Sequence, residues 1–237
     1  MTRRRWIADE VADGRAALTG EHAAHLSRTL RARVGQEFEV VCGEVVRRGT
    51  VASVEDERVE FALGEEIAAG TAVPITLLLA VFKFDRMEWA IEKCTELNVT
   101  SIVPVIARRT EKHLALAADK RVERWRRIGH EASEQSRRVA PPEIADPIKL
   151  SAALDFSAEL RMVLAESERE VQLGEILEAR PDATSLAMAI GPEGGWATEE
   201  LQLFEESGWI AASLGDTILR AETAAIAALA IARAEIG

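Results

Sequence analysis

The chain has 237 residues, of which 48% are hydrophobic and 29% charged, the composition of an ordinary globular protein. Its net charge of −11 at pH 7 argues at face value against a nucleic-acid partner. The longest apolar runs, such as residues 75–82, are too short for a bilayer span, and the basic start of the chain leads into no apolar stretch typical of an export signal. We therefore expect a cytoplasmic protein with no membrane partner.

The first part of the chain predicts a small β-rich domain, residues 1–71, with a linker around residues 67–74. Its one predicted helix, residues 21–33, is expected to end at a Gly35 C-cap. Short runs of β-forming residues follow, separated by glycine or acidic turns, at residues 37–42, 45–46, 50–54 and 58–63. Several short strands without intervening helices favour a small β-barrel.

After Pro74 strands and helices alternate, which predicts an α/β domain over residues 72–237 with a mainly parallel sheet. Strands are predicted at residues 75–82, 102–106, 160–165, 186–190 and 210–214. Asp85 is expected to cap a helix that Asn98 closes in the left-handed conformation. Further helices are predicted at residues 119–138, 198–207 and 221–236. A ligand of such a domain is expected at the carboxyl ends of the strands.

Positive charge is concentrated in one stretch of this acidic chain. Residues 105–142 contain ten basic and five acidic side chains, a local charge of +5, and residues 1–48 are mildly positive. From Ser151 onward the local charge is −11. Binding a polyanion requires a basic face rather than a basic total, although the same stretch is also compatible with a solvated helix face that is balanced elsewhere.

Two glycine-bearing corners stand out between predicted strands and helices. The first, Ile190-Gly-Pro-Glu-Gly-Gly-Trp196, allows a close backbone approach to a ligand and presents amides at a helix start, but it also suits a plain tight turn. The second runs from Ser213 to Thr223, with Gly215 in the turn and Arg220 at the helix start. Because a cation is disfavoured there, Arg220 indicates either an anionic partner or a salt bridge to a nearby glutamate, Glu222 or Glu193.

The usual catalytic constellations are absent from the sequence. The four histidines lie in no metal spacing, and His130 is expected to form a helix-surface pair with Glu134. Cys42 and Cys94 are expected to be reduced core residues. We therefore predict no metal site, and a reaction driven by the positioning of two substrates rather than a hydrolysis.

Five motifs then carry a resemblance, in the order Lys83…Glu92-Lys-Cys-Thr-Glu-Leu97, Arg108-Arg109, Glu131-Ala-Ser-Glu-Gln-Ser-Arg137…Pro142, Gly191-Pro-Glu-Gly-Gly195 and Leu214-Gly-Asp-Thr-Ile-Leu-Arg-Ala-Glu-Thr-Ala224. Together they resemble the RsmE family, the 16S rRNA uridine-N3 methyltransferases of the SPOUT superfamily. The resemblance spans residues 75–237. The amino-terminal residues His25, Leu30-Arg31 and Gly35 resemble more loosely the family's opening, a PUA-like RNA-binding β-barrel.

The resemblance implies a carboxyl-terminal SPOUT methyltransferase domain with a trefoil knot, a homodimer, and S-adenosyl-L-methionine as cofactor. The cofactor-binding residues that it implies are Leu164, Ala165, Glu166, Ile190, Gly191, Pro192, Glu193, Gly194, Gly195, Ser213, Leu214, Gly215, Ile218, Leu219 and Arg220. Arg220 is also the expected catalytic residue, supporting negative charge on the target uracil, although it could instead grip phosphate or buttress the knot.

The expected substrate is 16S rRNA within the small ribosomal subunit, with its target base exposed or turned out of its stack. The expected RNA-binding residues are Arg3, Arg4, Arg5, His25, Arg31, Arg108, Arg109, Lys112, Gln135, Arg137 and Arg138. Trp89 and Trp125 lie on apolar helix stripes and are expected in the core rather than against RNA bases.

Two other functions are compatible with the sequence. A non-catalytic RNA-binding assembly protein would retain the fold, but the intact glycine-bearing corners disfavour it. A related enzyme that methylates transfer RNA or a ribose hydroxyl is disfavoured by the extra barrel and by the motif at residues 131–137.

Overall fold

The computed structural model describes four stretches of the chain, residues 5–43, 45–67, 72–136 and 138–236. Of Arg5 only the backbone is described. The chain divides into two compact units, Met1–Thr71 and Ala72–Gly237, and each has its own hydrophobic core. Within the described stretches, every helix is too short or too polar to cross a bilayer.

The amino-terminal unit is a curled six-stranded sheet that forms a half-barrel. Its strands are β1 (Arg5–Ile7), β2 (Glu10–Ala12), β3 (Arg15–Thr19), β4 (Glu37–Cys42), β5 (Val45–Val54) and β6 (Arg58–Ile67). The order β1-β4-β5-β6-β3-β2 is antiparallel apart from the β1–β4 pair. Because β1 and β2 lie at opposite edges, the expected small barrel is an open, curled sheet over its core.

Strand β5 is one long strand where the sequence predicted two short ones separated at Gly49. A β-carbon on Gly49 would lie 2.4 Å from Val40 Cγ2, so the glycine allows β5 to cross closely over β4. The register of β5 against β6 shifts between Arg47 and Gly49 and again between Val51 and Ser53. Such irregularities bend a strand, which accounts for the curl of the sheet.

The predicted helix at residues 21–33 is shorter in the structure. Helix α1 (Gly20–Ala24) continues into a π-helical turn, His25–Thr29, and then stops. Arg31 has a left-handed φ of +51°, which a continuing helix does not permit. Gly35, with φ of +87°, therefore lies in the turn before β4 and is not the C-cap of the helix.

The carboxyl-terminal unit is an α/β domain whose seven strands are all parallel. The strands are β7 (Ile75–Ala80), β8 (Ser101–Ile106), β9 (Glu143–Ile144), β10 (Ile148–Lys149), β11 (Leu160–Leu164), β12 (Leu186–Ile190) and β13 (Ile210–Ala212). The helices are α2 (Phe84–Glu96), α3 (Lys112–Ala117), α4 (Val122–Ser136), α5 (Leu150–Leu154), α6 (Leu173–Glu178), α7 (Thr198–Glu206) and α8 (Ala221–Ile236). The sheet order is β10-β8-β7-β12-β11-β13, with β9 also paired to β8.

Helices cover both faces of this sheet. Side chains such as Leu77 and Leu79 point into one core with α2, α4, α6 and α8, whereas Leu78 and Ala80 point into a second core with α5 and α7. The alternation follows from the two-residue repeat of a strand. All six residues of β7 are buried, as a central strand of a parallel sheet requires.

Several helix predictions differ in detail from the structure. Lys83, not Asp85, is the N-cap of α2, and Asp85 lies in the first turn, where an acid favours the helix dipole. Asn98 has the predicted left-handed φ, +64°. Trp125 is buried, as expected. Trp89 was also expected in the core, but this prediction is wrong, because Trp89 is 47% exposed on α2.

Candidate functional site

The loops after β11, β12 and β13 leave the same edge of the sheet side by side. Strand β11 pairs with β12 on one side and with β13 on the other, so its loop lies between the other two. The Ala165 amide donates to Ala212 O at 3.1 Å, and the Ser213 amide donates to Val171 O at 2.8 Å. The structure therefore brings the two glycine-bearing corners together at the carboxyl ends of the strands.

Two adjoining cavities lie between these loops. One is bordered by the loops after β11 and β13, and the other by the loops after β11 and β12, with a volume of about 330 Å³. They share a wall made of Leu164, Ala165, Glu166 and Leu219. The second cavity is large enough for a small ligand, and its walls combine apolar side chains with a few polar groups, as ligand sites do.

Most of the residues expected to bind a cofactor line one cavity or the other. These are Leu164, Ala165, Glu166, Gly191, Pro192, Glu193, Gly195, Ser213, Leu214, Gly215, Ile218 and Leu219. Ile190, Gly194 and Arg220 lie outside the cavity walls but directly beside lining residues. Leu201 and Arg169 line the cavities as well and were missed, since neither belongs to a motif.

The loop after β12 is a tight turn and also a close approach of backbone to side chains. Gly195 has φ of +68°, and its amide donates to Pro192 O at 2.8 Å. A β-carbon on Gly195 would lie 3.4 Å from a carboxylate oxygen of Glu166. On Gly191 it would lie 3.2 Å from the indole nitrogen of Trp196. Both glycines thus leave room in the crevice that a side chain would occupy.

Charged groups from two other segments of the chain hold this loop. The Arg109 guanidinium donates to Gly194 O at 2.6 Å. Glu193 lies 3.6 Å from Arg86 Nη1 and 3.7 Å from Lys83 Nζ. The same Arg86 nitrogen lies 3.3 Å from Glu222 Oε1. The sequence did not indicate Arg86, because its two acidic partners are more than a hundred positions away along the chain.

Arg220 is exposed and precedes α8 directly. Its carbonyl accepts from the Ala224 amide at 2.8 Å, but its guanidinium has no hydrogen bond or ion pair within the described residues. The alternative of a salt bridge to Glu222 or Glu193 is therefore wrong, since Arg86 occupies both carboxylates. The Arg220 side chain is left available beside the two cavities.

Two of the expected RNA-binding arginines are already engaged with the protein. Arg109 holds Gly194, and the Arg108 amide donates to the buried carboxylate of Glu200 at 2.7 Å. The Arg108 guanidinium lies 3.0 Å from Glu199. The pKa of Glu199 is lowered because its own backbone N–H donates to it and because Arg108 lies close. Both arginines thus fasten the loop after β8 to the loop after β12 and to α7.

The other expected RNA-binding residues belong partly to the amino-terminal unit and partly to the carboxyl-terminal unit. Lys112 and Gln135 are exposed, and within the described residues neither side chain has a hydrogen bond or ion pair. Arg138 is half-buried and donates to Thr95 O at 3.0 Å, and burial lowers its pKa to about 10. His25 lies near the Trp6 ring in the amino-terminal unit. Three of the expected residues, Arg3, Arg4 and Arg137, lie outside the described residues, and the side chain of Arg5 is not described either.

Within the part of the chain that the structure describes, no group of three or more metal-ligating side chains occurs. His130 Nδ1 lies 3.7 Å from Glu134 on the helix surface, as predicted. Both cysteines are free, and burial raises the pKa of Cys94 to about 12. Cys94 is therefore a core thiol without nucleophilic character.

Comparison with known proteins extends these observations. A family model described as an RNA methyltransferase domain matches residues 70–233. A ribosomal RNA small subunit methyltransferase E from Synechocystis sp. is 31% identical over 94% of this chain and 74% of its own length. The protein of the same name from Bacillus subtilis is 30% identical over 90% of this chain and 87% of its own length.

Solved structures show the same similarity. A ribosomal RNA small subunit methyltransferase E from Neisseria gonorrhoeae, bound to S-adenosyl methionine, is 31% identical, with a TM-score of 0.69 over 95% of this chain and 94% of that one. A methyltransferase from Legionella pneumophila in complex with the same cofactor is 27% identical, with a TM-score of 0.68 over 97% and 96%. The half-barrel followed by an all-parallel sheet is thus an arrangement that these proteins share.

Proposed function

This chain belongs to the RNA methyltransferase domain family and, within it, to the ribosomal RNA small subunit methyltransferase E group, and on that premise we propose that it methylates N3 of a specific uridine in 16S rRNA. The methyl donor is S-adenosylmethionine, which is bound in similar structures. One observation carries the proposal: the two glycine-bearing loops border adjoining cavities that share one wall. A reaction between two bound substrates needs such an arrangement.

The residues of the crevice fit this cofactor. Leu214, Ile218 and Leu219 provide an apolar wall for a flat base, and the glycine-bearing loops offer backbone groups for its polar edge. The Glu166 carboxylate lies at the wall between the cavities and has no ion pair within the described residues. An unpaired carboxylate suits a ligand that carries a sulfonium and an ammonium group.

When it is bound, the cofactor supplies an electrophilic methyl group, and the protein's task is to place the uracil ring in line with it. N3 becomes nucleophilic when it loses its proton, which leaves negative charge on the ring. The free guanidinium of Arg220, beside the shared wall, stabilises that charge in the manner of an oxyanion donor. The proton passes to water.

Recognition of the RNA relies on cations that the protein leaves unpaired, such as Lys112, and the target base turns out of its stack to enter the crevice. Arg108 and Arg109 contribute by shaping the rim of the site. We place the protein in the cytoplasm and infer a homodimer with a trefoil knot, as the family resemblance implies.

The decisive experiment is mass-spectrometric mapping of 16S rRNA from cells that lack this protein. The expected result is the loss of one N3-methyluridine, restored by the wild-type gene. Loss of a ribose methyl group, or a change confined to transfer RNA, would contradict the proposed target. Calorimetry with S-adenosylmethionine separates the enzyme from a non-catalytic assembly protein, which has no need to bind it.

A further inference from the structure

Arg86 connects two elements of the crevice that are far apart in the chain. It lies in the first turn of α2, and one nitrogen of its guanidinium lies within ion-pair distance of both Glu193 and Glu222. Glu193 belongs to the loop after β12 and lines the second cavity. Glu222 is in the first turn of α8 and follows Ala221, which lines the same cavity.

Glu222 is not an ordinary surface acid. Its side chain is only 5% exposed, and within the described residues Oε2 has no hydrogen-bond partner. A buried carboxylate is costly unless a cation compensates it, and a buried ion pair is often no more stabilising than an apolar pair of the same size. Stability alone therefore gives little reason for this pair, which suggests that it serves the geometry of the site.

The contact between Arg86 and Glu193 helps to fix the position of the loop after β12. Arg109, in the loop after β8, holds the neighbouring Gly194 through a single hydrogen bond. Lys83 reaches Glu193 as well, but its side chain is more exposed than that of Arg86 and has no contact with Glu222 among the described residues. Arg86 is therefore the side chain that relates the loop after β12 to the start of α8.

We propose that Arg86 is a positioning residue, which joins Glu193 to Glu222 and thereby holds the loop after β12 and the start of α8 at the spacing that S-adenosylmethionine requires. The inference rests on the proposed function, since it assigns this cofactor to the crevice. Arg86 acts through the two glutamates and does not itself touch the reacting atoms. Its loss is expected to weaken cofactor binding even when the fold is intact.

Three variants separate positioning from mere neutralisation of Glu222. Glu193→Gln removes the ion pair between Arg86 and the loop and leaves the pair of Arg86 with the buried Glu222. The melting temperature therefore stays unchanged while the Kd for S-adenosylmethionine rises by about tenfold. Arg86→Met leaves the buried carboxylate uncompensated, so it lowers the melting temperature as well. The double variant Arg86→Met with Glu222→Gln removes the buried charge, so stability returns but the weakened affinity remains.

The measurements are thermal unfolding and calorimetric titration with S-adenosylmethionine, with kcat and KM for the cofactor measured alongside. KM is expected to follow Kd, while kcat at saturating cofactor changes little. Arg180→Met is the control, because it removes an exposed arginine that is paired with Glu159 away from the crevice. Its affinity and stability should match those of the wild type.

The inference is overturned if the double variant regains wild-type cofactor affinity together with its stability, since Arg86 would then only neutralise Glu222. Unchanged affinity in Glu193→Gln overturns it equally. In either case, a wild-type protein that binds the cofactor leaves the proposed function standing. Failure of the wild type to bind S-adenosylmethionine would instead overturn the proposed function, and the positioning role with it.

Discussion

The loops after β12 and β13 border the same crevice, but the protein holds them in different ways. In the loop after β12, Glu193 is ion-paired, Gly194 accepts from Arg109, and the Gly195 amide closes a turn. The loop after β13 is anchored at its start by Ser213 Oγ, which lies 3.2 Å from the Gly215 amide. Beyond that, Ile218 is 80% exposed and Arg220 has no side-chain partner in the described structure.

This difference suggests a division of work between the two loops. A loop fixed by several contacts presents its backbone to a ligand without a further cost of ordering. A loop with exposed apolar and cationic side chains gains contacts only when a ligand provides them. We expect the loop after β12 to be preorganised and the loop after β13 to become ordered around the cofactor and the RNA base.

The largest expected effect concerns the unpaired cation of the loop after β13. Arg220→Ala should lower kcat by about 10²–10³-fold, because it removes the group that stabilises charge on the uracil ring. Steady-state methylation assays with saturating RNA and cofactor measure this loss. Since the guanidinium has no partner among the described residues, the melting temperature should not change.

A control for Arg220 is Arg180→Ala, which removes an exposed arginine away from the crevice. It should retain most of the activity. Near-normal turnover in Arg220→Ala, with unchanged RNA affinity, would show that Arg220 has no catalytic role.

The next largest effect is expected at Gly195, in the loop after β12 that we expect to be preorganised. Gly195→Ala places a side chain where φ is +68° and where Glu166 lies 3.4 Å away, so it should cost about 1–2 kcal/mol of stability and weaken cofactor binding. Gly174→Ala, in open space on α6, should keep or slightly increase stability. Denaturant unfolding and calorimetry check both. Equal effects of the two substitutions on stability and cofactor affinity would contradict the prediction that the loop after β12 requires a glycine at position 195.

A smaller effect is expected from the exposed apolar side chain of the other loop. Ile218→Ser should leave the stability of the free protein unchanged, because Ile218 is exposed there. It should raise the Kd for S-adenosylmethionine by about three- to tenfold, because serine cannot provide the apolar contact that Ile218 makes when the cofactor is bound. Leu116→Ser, on α3 and 73% exposed, is the control and should change neither quantity. A loss of stability in the free Ile218 variant would show that the loop is already packed.

The smallest effect is expected when a single cation is removed, and it should differ between a side chain without a partner among the described residues, Lys112, and one that is bonded to the protein, Arg109. Lys112→Ala should reduce the slope of log K against log salt for RNA binding by about 0.7–0.9, without altering cofactor affinity. Arg109→Ala should weaken cofactor binding instead, since it releases Gly194. Filter-binding assays over a range of salt concentrations, combined with calorimetry, test both. If both variants changed the salt dependence of RNA binding and the cofactor affinity in the same way, the proposed difference between Lys112 and Arg109 would be wrong.

Much of the carboxyl-terminal domain was predictable because its signals are local. The all-apolar run at Ile75 predicted a buried parallel strand, and helix α8 begins and ends where its sequence pattern does. The sequence analysis missed the very short elements, because a few residues show no periodicity; these are β9, β10, α3, α5 and α6. Trp89 was misplaced because its position on the stripe of α2 does not reveal that the rest of the fold leaves it 47% exposed.

By itself, the sequence determined the two-unit α/β organisation, the family, and the two glycine-bearing corners, since each depends on residues close together in the chain. Only the tertiary structure decided which charges meet. The sheet order places β7 beside β12, so Arg86, on the helix that follows β7, reaches Glu193 in the loop after β12, and it also meets Glu222 of α8. Arg220 has no side-chain partner among the described residues. Ion pairs between distant segments follow from how strands are ordered, and a single sequence carries no local signal for that order.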